Sequence, residues 1–240
     1  MTIVAHNSIS NNPQAPNQFG GLALWLDASQ LTGLVDGNAV ASWTDMTGKG
    51  NHAIQATEAN KPLYKTNILN GKPVVRFDGT DFLTSPNGAI SGLSNAISIF
   101  AVYNMTVQTD TSILVAETDD TANRLNIHPN FSGGTVFFDF GNISTGGRVN
   151  GAWGGALGTF YRWGFVAGSS AMNIYRNGTS ILSVGTSKTF TPGIKTLNIG
   201  AYSATRFNGD VAEIIIYNRV LSAIERAFID SYLSNKYAIV

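Results

Sequence analysis

Between Phe207 and Tyr237 the chain spells out a strand, a turn and a helix, FNGDVAEIIIYNRVLSAIERAFIDSYLSNKY, and everything before this stretch reads as β. In the strand, Ala212, Ile214 and Ile216 are expected on one side and Val211, Ile215 and Tyr217 on the other, so a period of two leaves both faces largely apolar. Such a strand lies between two layers. Asn218 and Arg219 turn the chain, and Ser222 with Glu225 has the S-x-x-E spacing of a capping box, in which the serine accepts from the Glu225 amide and the glutamate bonds back. In the helix that follows, Ile224, Phe228, Tyr232 and Leu233 form an apolar stripe opposite Glu225, Arg226, Asp230 and Lys236. This predicts an all-β chain with one short C-terminal helix laid on a sheet by that stripe.

The earlier strands are short and evenly spaced. Leu22 to Asp27 is apolar on both faces and is expected to be central, paired with the last strand. Pro73 to Phe77, the turn at Asp78-Gly79 and the return from Asp81 predict a hairpin, and Ala96 to Met105 is the longest clean strand. Ser112 to Glu117, Arg124 to His128 and Thr135 to Phe140 continue at sandwich spacing, with Val136, Phe138 and Phe140 facing together. Glu117 to Asp120 and His128 to Asn130 are expected in loops. So is Gly146 to Gly158, which holds six glycines around Trp153. Asn177-Gly178 marks a type I′ hairpin. Tyr202 to Arg206 reads as a polar loop leading into the closing strand.

Several of these stretches carry a resemblance. The closing strand and helix, with Leu24 to Ala28 (LWLDA), Val40 to Ala53 (VASWTDMTGKGNHA), Asn70 to Leu83 (NGKPVVRFDGTDFL) and the Tyr-Arg-Asn-Gly run at Tyr175 to Gly178, resemble concanavalin A-like, laminin-G-like jelly-roll domains of bacterial surface and phage proteins. The resemblance implies a two-sheet antiparallel sandwich over residues 22 to 237. In VASWTDMTGKGNHA, Trp43 is expected to plug the core edge and Asp45 to cap the following turn. The fold hosts lectins, adhesive modules, glycosidases, lyases and structural parts, so function has to be argued from a site.

Composition bounds that argument. A chain of 240 residues fits one large sandwich domain, taken as residues 21 to 240, behind a polar arm over residues 1 to 20 that is either loose or ordered against a neighbouring subunit. Charged residues make up only 12%, against roughly 25% in an average globular protein, so the surface must be rich in Asn, Ser, Thr and Gly. Fifteen basic and fifteen acidic residues cancel without a Lys/Arg cluster, which argues against nucleic acid as a partner. The chain has no cysteine, which removes disulfides and a thiol nucleophile. Its start has neither the basic nor the apolar region of a secretory signal, and no apolar run is long enough to span a membrane. A carbohydrate-type exterior fold made without an export signal points to release by lysis as part of a virion, as a fibre, decoration or tail-associated protein.

Chemistry is sparse. A retaining glycosidase needs two carboxylates about 5 Å apart, and no E-x-D-x-E run exists; Glu117 to Asp120 is the nearest approach. The three histidines, His6, His52 and His128, lack the Arg, Gln and Tyr setting of a lyase and are read as surface or capping groups. Calcium would need hard oxygen ligands, for which Asp119 and Asp120 with Asn123 are the first candidates and Asp78 with Asp81 the second. A sugar would need an exposed aromatic to stack on and polar groups for its hydroxyls, which singles out Trp153, Arg148, Tyr202 and Arg206. The expectation is a non-catalytic module that binds a cell-surface glycan, with calcium as a possible cofactor. The alternative is a structural virion part, in contact with neighbouring virion proteins or further copies of itself, and a glycoside hydrolase or polysaccharide lyase comes last.

Overall fold

The computed structural model describes residues 15–86, 89–93, 95–116, 122–185, 190 and 196–240. Among them the strands run β1 (Leu22–Asp27), β2 (Ser42–Trp43), β3 (Ala53–Ile54), β4 (Leu63–Leu69), β5 (Lys72–Asp78), β6 (Leu83–Ser85), β7 (Ile97–Tyr103), β8 (Leu114–Ala116), β9 (Arg124–Phe131), β10 (Thr135–Gly141), β11 (Arg148–Ala152), β12 (Tyr161–Ala167), β13 (Met172–Arg176), β14 (Thr179–Val184), β15 (Leu197–Ile199), β16 (Ala201–Tyr202), β17 (Thr205–Arg206) and β18 (Asn208–Tyr217), before helix α1 (Ala223–Tyr237).

Two antiparallel sheets result. The first has the order β14-β13-β12-β7-β18-β5-β4, with β1 sharing the far edge of β18 with β5; the second has the order β11-β10-β9-β8-β15-β6-β3-β2. The predicted pairing of the first and last strands holds, with Leu24 opposite Ile216 and Leu26 opposite Ile214. Inward residues such as Trp43, Phe77, Leu125, Ile127, Phe138, Phe165 and Ile214 form the core between the sheets, and Trp25, Phe100, Ile215, Ile229 and Leu233 a second core between the first sheet and α1.

Three expectations are corrected. β5 and β6 do not form a hairpin: they belong to different sheets, and the Asp81 carboxylate, which accepts from the Asp78 amide at 3.0 Å, holds the chain where it crosses between layers. A bulge between Val211 and Glu213 moves Val211 onto the face of Ile214 and Ile216, and turns Glu213 toward the helix. The helix is also rotated from its expected stripe. Ile229, Tyr232, Leu233 and Tyr237 are buried, whereas Ile224 is 71% and Phe228 43% exposed. The rotation follows from two polar side chains that find partners on the sheet: Lys236 reaches Asp27 and Glu213, and Asp230 takes a two-pronged bond from the buried Arg162. The capping box forms as expected, between Ser222 and Glu225. Of the expected arm, residues 15–20 dock on the same chain: Tyr217 Oη donates to the Pro16 carbonyl at 2.7 Å, and Phe19 lies against Phe228.

Candidate functional site

The outer face of the second sheet is built by alternation. Along β9, Leu125 and Ile127 point into the core, which turns Arg124, Asn126 and His128 outward. Along β10, Val136, Phe138 and Phe140 point in, as predicted, leaving Phe137 and Asp139 outside. Strand register then lines up one row across the sheet: Arg148, Asp139, Asn126, Val115, Asn198, Thr84 and Ile54 lie opposite one another in turn. This face therefore has two halves. The β8–β10 half is polar yet buried, with Asn126 and Asp139 fully covered and His128 and Arg124 nearly so; at the other end Ile54 is exposed.

Within the buried half the groups hold each other. His128 Nδ1 lies 3.0 Å from the Thr111 carbonyl, Asn126 Nδ2 lies 3.1 Å from His128 Nε2, and Ser112 Oγ donates to Asn126 Oδ1 at 2.5 Å. The carbonyl can only accept, so this network assigns the proton to Nδ1 and leaves Nε2 to accept from the amide. The imidazole is neutral, and burial pushes its pKa below the usual histidine value. Asp139 accepts two bonds from Arg148, at 2.7 and 2.6 Å, and lies 3.7 Å from the Arg124 guanidinium; the paired bonds raise the Arg148 pKa further. Phe131 and Phe137 stand edge-on to His128, and the Arg148 guanidinium lies 5.0 Å from the centre of the Phe137 ring.

Tyr202 closes this patch from above. Its ring stands 5.1 Å from His128, with the Arg124 guanidinium 5.9 Å from its centre. Beneath it Arg124 Nε is buried without a hydrogen-bond partner, as are Thr111 Oγ1 and Asn130 Oδ1 on the flanking stretches of chain; the other such atoms among the described residues are ring groups of Trp43, Tyr103, Trp153 and Trp163. Buried polar atoms are nearly always partnered, so such an exception calls for an explanation.

The four residues expected to bind ligand are divided by the structure. Arg148 and Tyr202 come together on this face. Arg206 braces the Tyr202 turn by donating to the carbonyls of Ser203 and Thr205, with its guanidinium 4.7 Å from the centre of the Phe82 ring. Trp153 corrects the expectation of an exposed stacking ring: it is 7% exposed, packs edge-on to Tyr161 and belongs to the inter-sheet core. The stretch around it is not one loop, because Arg148–Ala152 forms edge strand β11. Asp119 and Asp120 lie outside the described residues, and among the described residues no group of three His, Cys, Asp or Glu side chains is placed to hold a metal. Asp45 caps its turn as expected, accepting from the amides of Trp25, Thr47 and Asn51, while His52 accepts from the Asp45 amide.

The sequence reading missed Asn126, His128, Arg124 and Asp139. It placed His128 in a loop because Pro129 follows, but β9 runs through the proline to Phe131, and the β9–β10 register shifts at that point. The signal was present in Arg124-Leu-Asn126-Ile-His128, a polar-apolar alternation that marks a strand with one polar face.

Comparison with known proteins fits this architecture. The profile of the concanavalin A-like lectin/glucanases superfamily matches residues 77–225, more than half of the chain. The chain belongs to this family. No curated protein matches it significantly in sequence. Among solved structures, this concanavalin A-like chain is similar to domain 4 of AbnA, an extracellular GH43 arabinanase from Geobacillus stearothermophilus, in complex with arabinotriose: TM-score 0.65, 17% identity, covering 85% of this chain and 95% of that one. The binding domain of botulinum neurotoxin serotype G matches with TM-score 0.63 and 12% identity over 89% of this chain and 51% of its own. Trypanosoma rangeli sialidase in complex with the inhibitor DANA matches with TM-score 0.56 and 15% identity over 91% of this chain and 34% of its own. At these identities the likeness is one of fold.

Proposed function

We propose that the chain is a non-catalytic carbohydrate-binding module whose ligand face is the polar outer face of the second sheet, around Arg124, Asn126, His128, Arg148 and Tyr202. The observation that carries this reading is the concentration of amide, imidazole and guanidinium groups on one sheet face, with Arg124 Nε buried and unpartnered among them. Sugar hydroxyls both donate and accept, and a pyranose or furanose ring adds an apolar surface that Phe137 can meet. The similar AbnA domain, in complex with arabinotriose, supports the same class of ligand. Asp139 is the carboxylate of this face among the described residues, and two arginines engage it. An aspartate engaged by two guanidinium groups is a fixed anchor for them, which supports a binding role. Display on a phage particle is the setting we infer for such a module, tested by looking for the chain in purified virions.

A glycan array of the purified chain, run once in calcium and once in chelator, tests the reading. Saturable binding that falls at least about tenfold in Asn126→Ala and Arg148→Gln is expected, since each removes a group from the face. A folded protein silent in both conditions overturns it, and binding lost only in chelator shows a metal requirement, for which Asp119→Asn and Asp120→Asn are the next variants.

A second reading, as a structural part that packs against neighbours, rests on Val220, Ile224 and Phe228, large apolar side chains exposed along the α1 side of the domain. Light scattering that gives an oligomer for the wild type and a monomer for Ile224→Glu supports it.

A further inference from the structure

The polar patch is overlaid at His128 and Arg124 by a piece of structure that belongs to neither sheet. β16 and β17 pair only with each other, as a two-stranded ribbon joined through Ser203 and Ala204. A lone two-stranded ribbon is marginal in water and depends on what it rests against. Ser203 sits at φ 51° without being glycine, and the ribbon starts from Gly200 at φ 79°, where an added Cβ would come within 2.7 Å of the Phe77 ring. The base is held by Arg206 over Phe82, and at the tip Thr205, paired with Tyr202, donates through Oγ1 to the Asp110 carbonyl at 2.9 Å. At the tip, Tyr202 meets the patch through ring contacts with His128 and Arg124. Around those contacts lie a buried imidazole, a buried amide and a guanidinium whose Nε has no partner. A closure that seals in an unpartnered donor leaves that donor's desolvation unrecovered, which favours whatever opens the seal and supplies an acceptor.

We propose that the Tyr202 ribbon is the moving wall of the sugar site: in the free chain it rests on His128 and Arg124, and a sugar ring enters by displacing the Tyr202 ring and presenting a hydroxyl oxygen to Arg124 Nε. The proposal rests on the carbohydrate reading of this face. It makes Tyr202 a gate and not a stacking platform, so removing its ring speeds binding instead of abolishing it.

The opening is read first without a sugar, by diethyl pyrocarbonate acylation followed by mass spectrometry, with His52 as the reference in the same chain. Three forms are compared: wild type, Tyr202→Ala, and Asp110→Cys/Thr205→Cys with its cross-link confirmed by mass spectrometry before use, which pins the ribbon in a chain with no cysteine of its own. An unchanged near-ultraviolet circular dichroism spectrum checks that each is folded. The expected result is acylation of His128 about tenfold faster in Tyr202→Ala and about tenfold slower in the pinned form, with reductant restoring the wild-type rate. Equal rates in all three overturn the gate. The same forms are then passed over the array oligosaccharides and arabinotriose. Slower association in the pinned form, reversed by reductant, supports the proposal. Wild-type association in the pinned form, or loss of binding in Tyr202→Ala, overturns it while leaving the carbohydrate reading intact. Gated acylation with no sugar bound by any form overturns the carbohydrate reading, and sugar entry with it.

Discussion

Two buried polar clusters lie on opposite sides of this sandwich, and they are finished to different degrees. Beneath the helix, the fully buried Glu213 accepts from Trp25 Nε1 at 2.7 Å, Tyr232 Oη at 3.0 Å, Tyr237 Oη at 2.8 Å and Lys236 Nζ at 2.7 Å, while Lys236 also binds Asp27 at 2.5 Å. Every named side chain of that knot has a partner. On the outer face of the second sheet, His128, Asn126 and Ser112 saturate one another, yet Arg124 Nε is left without an acceptor. Both clusters bury charge. The first holds α1 to the sheet, and the second leaves a buried donor unpartnered among the described residues. That difference separates the structural ion cluster from the face we propose for ligand more sharply than the residue types do, since each contains an acid, a base and an aromatic ring.

The largest expected effect breaks the complete cluster. Glu213→Ala leaves Lys236 and Trp25 Nε1 facing an empty site, and removing one member of a buried ion cluster costs about 3–5 kcal/mol. Urea unfolding should show this loss in full, together with fraying of α1. The equivalent cut on the other face, Asn126→Ala, should cost about 1–2 kcal/mol, because it leaves the neutral groups of Ser112 and His128 each short of one partner and strands no charge. Equal losses at the two sites would mean that the outer patch is as structural as the helix knot.

The two clusters should also respond to pH with opposite signs. Burial, with Asp27 close by, raises the Glu213 pKa despite Lys236. The folded chain then holds that proton more tightly than the unfolded one, and stability falls as pH rises from the ordinary glutamate value toward the raised one. Burial lowers the His128 pKa, with Arg148 and Arg124 adding to the effect and the Thr111 carbonyl and Asp139 opposing it. Here the unfolded chain binds the extra proton, so stability is complete above about pH 6.5 and is lost as pH falls below it, by up to ~1.4 kcal/mol per unit. Protonation would also place an N–H against the Asn126 amide hydrogens. Denaturant midpoints from pH 4 to 8 check both signs: His128→Gln should flatten the near-neutral limb and Glu213→Gln the acid one.

These particulars show how far the sequence could be read. The sandwich, the terminal strand pair, the capping box and the Asn177-Gly178 turn follow from local rules, and all were visible. The helix rotation was not, because Lys236 and Asp230 read as solvent-facing until Asp27, Glu213 and Arg162 are brought opposite them by strands far away in the chain. Among the candidate site residues, Arg148 and Tyr202 were picked by residue type and do share a face. Trp153 was picked by the same rule and is core, since a glycine-rich stretch says nothing about which sheet edge it forms. His128 was passed over because Pro129 reads as a loop signal, and only the register of β9 against β10 reveals the strand.

The smallest effect is the most pointed test of the comparison. In the helix knot no polar atom is spare, so Tyr237→Phe, which deletes the 2.8 Å bond to Glu213, should lose about 1 kcal/mol. Beside the outer patch, Thr111 is fully buried with an unpartnered hydroxyl, while its carbonyl serves His128. Thr111→Val keeps the shape and the carbonyl and removes only the idle oxygen. It should raise stability by ~0.5–1 kcal/mol, the gain left when a desolvated, unbonded polar atom is exchanged for a methyl group. A protein that grows more stable on losing a polar atom carries that atom for something other than folding. A loss of stability in Thr111→Val would show instead that the hydroxyl has a partner in the folded chain, and would leave the contrast between the clusters to rest on Arg124 Nε.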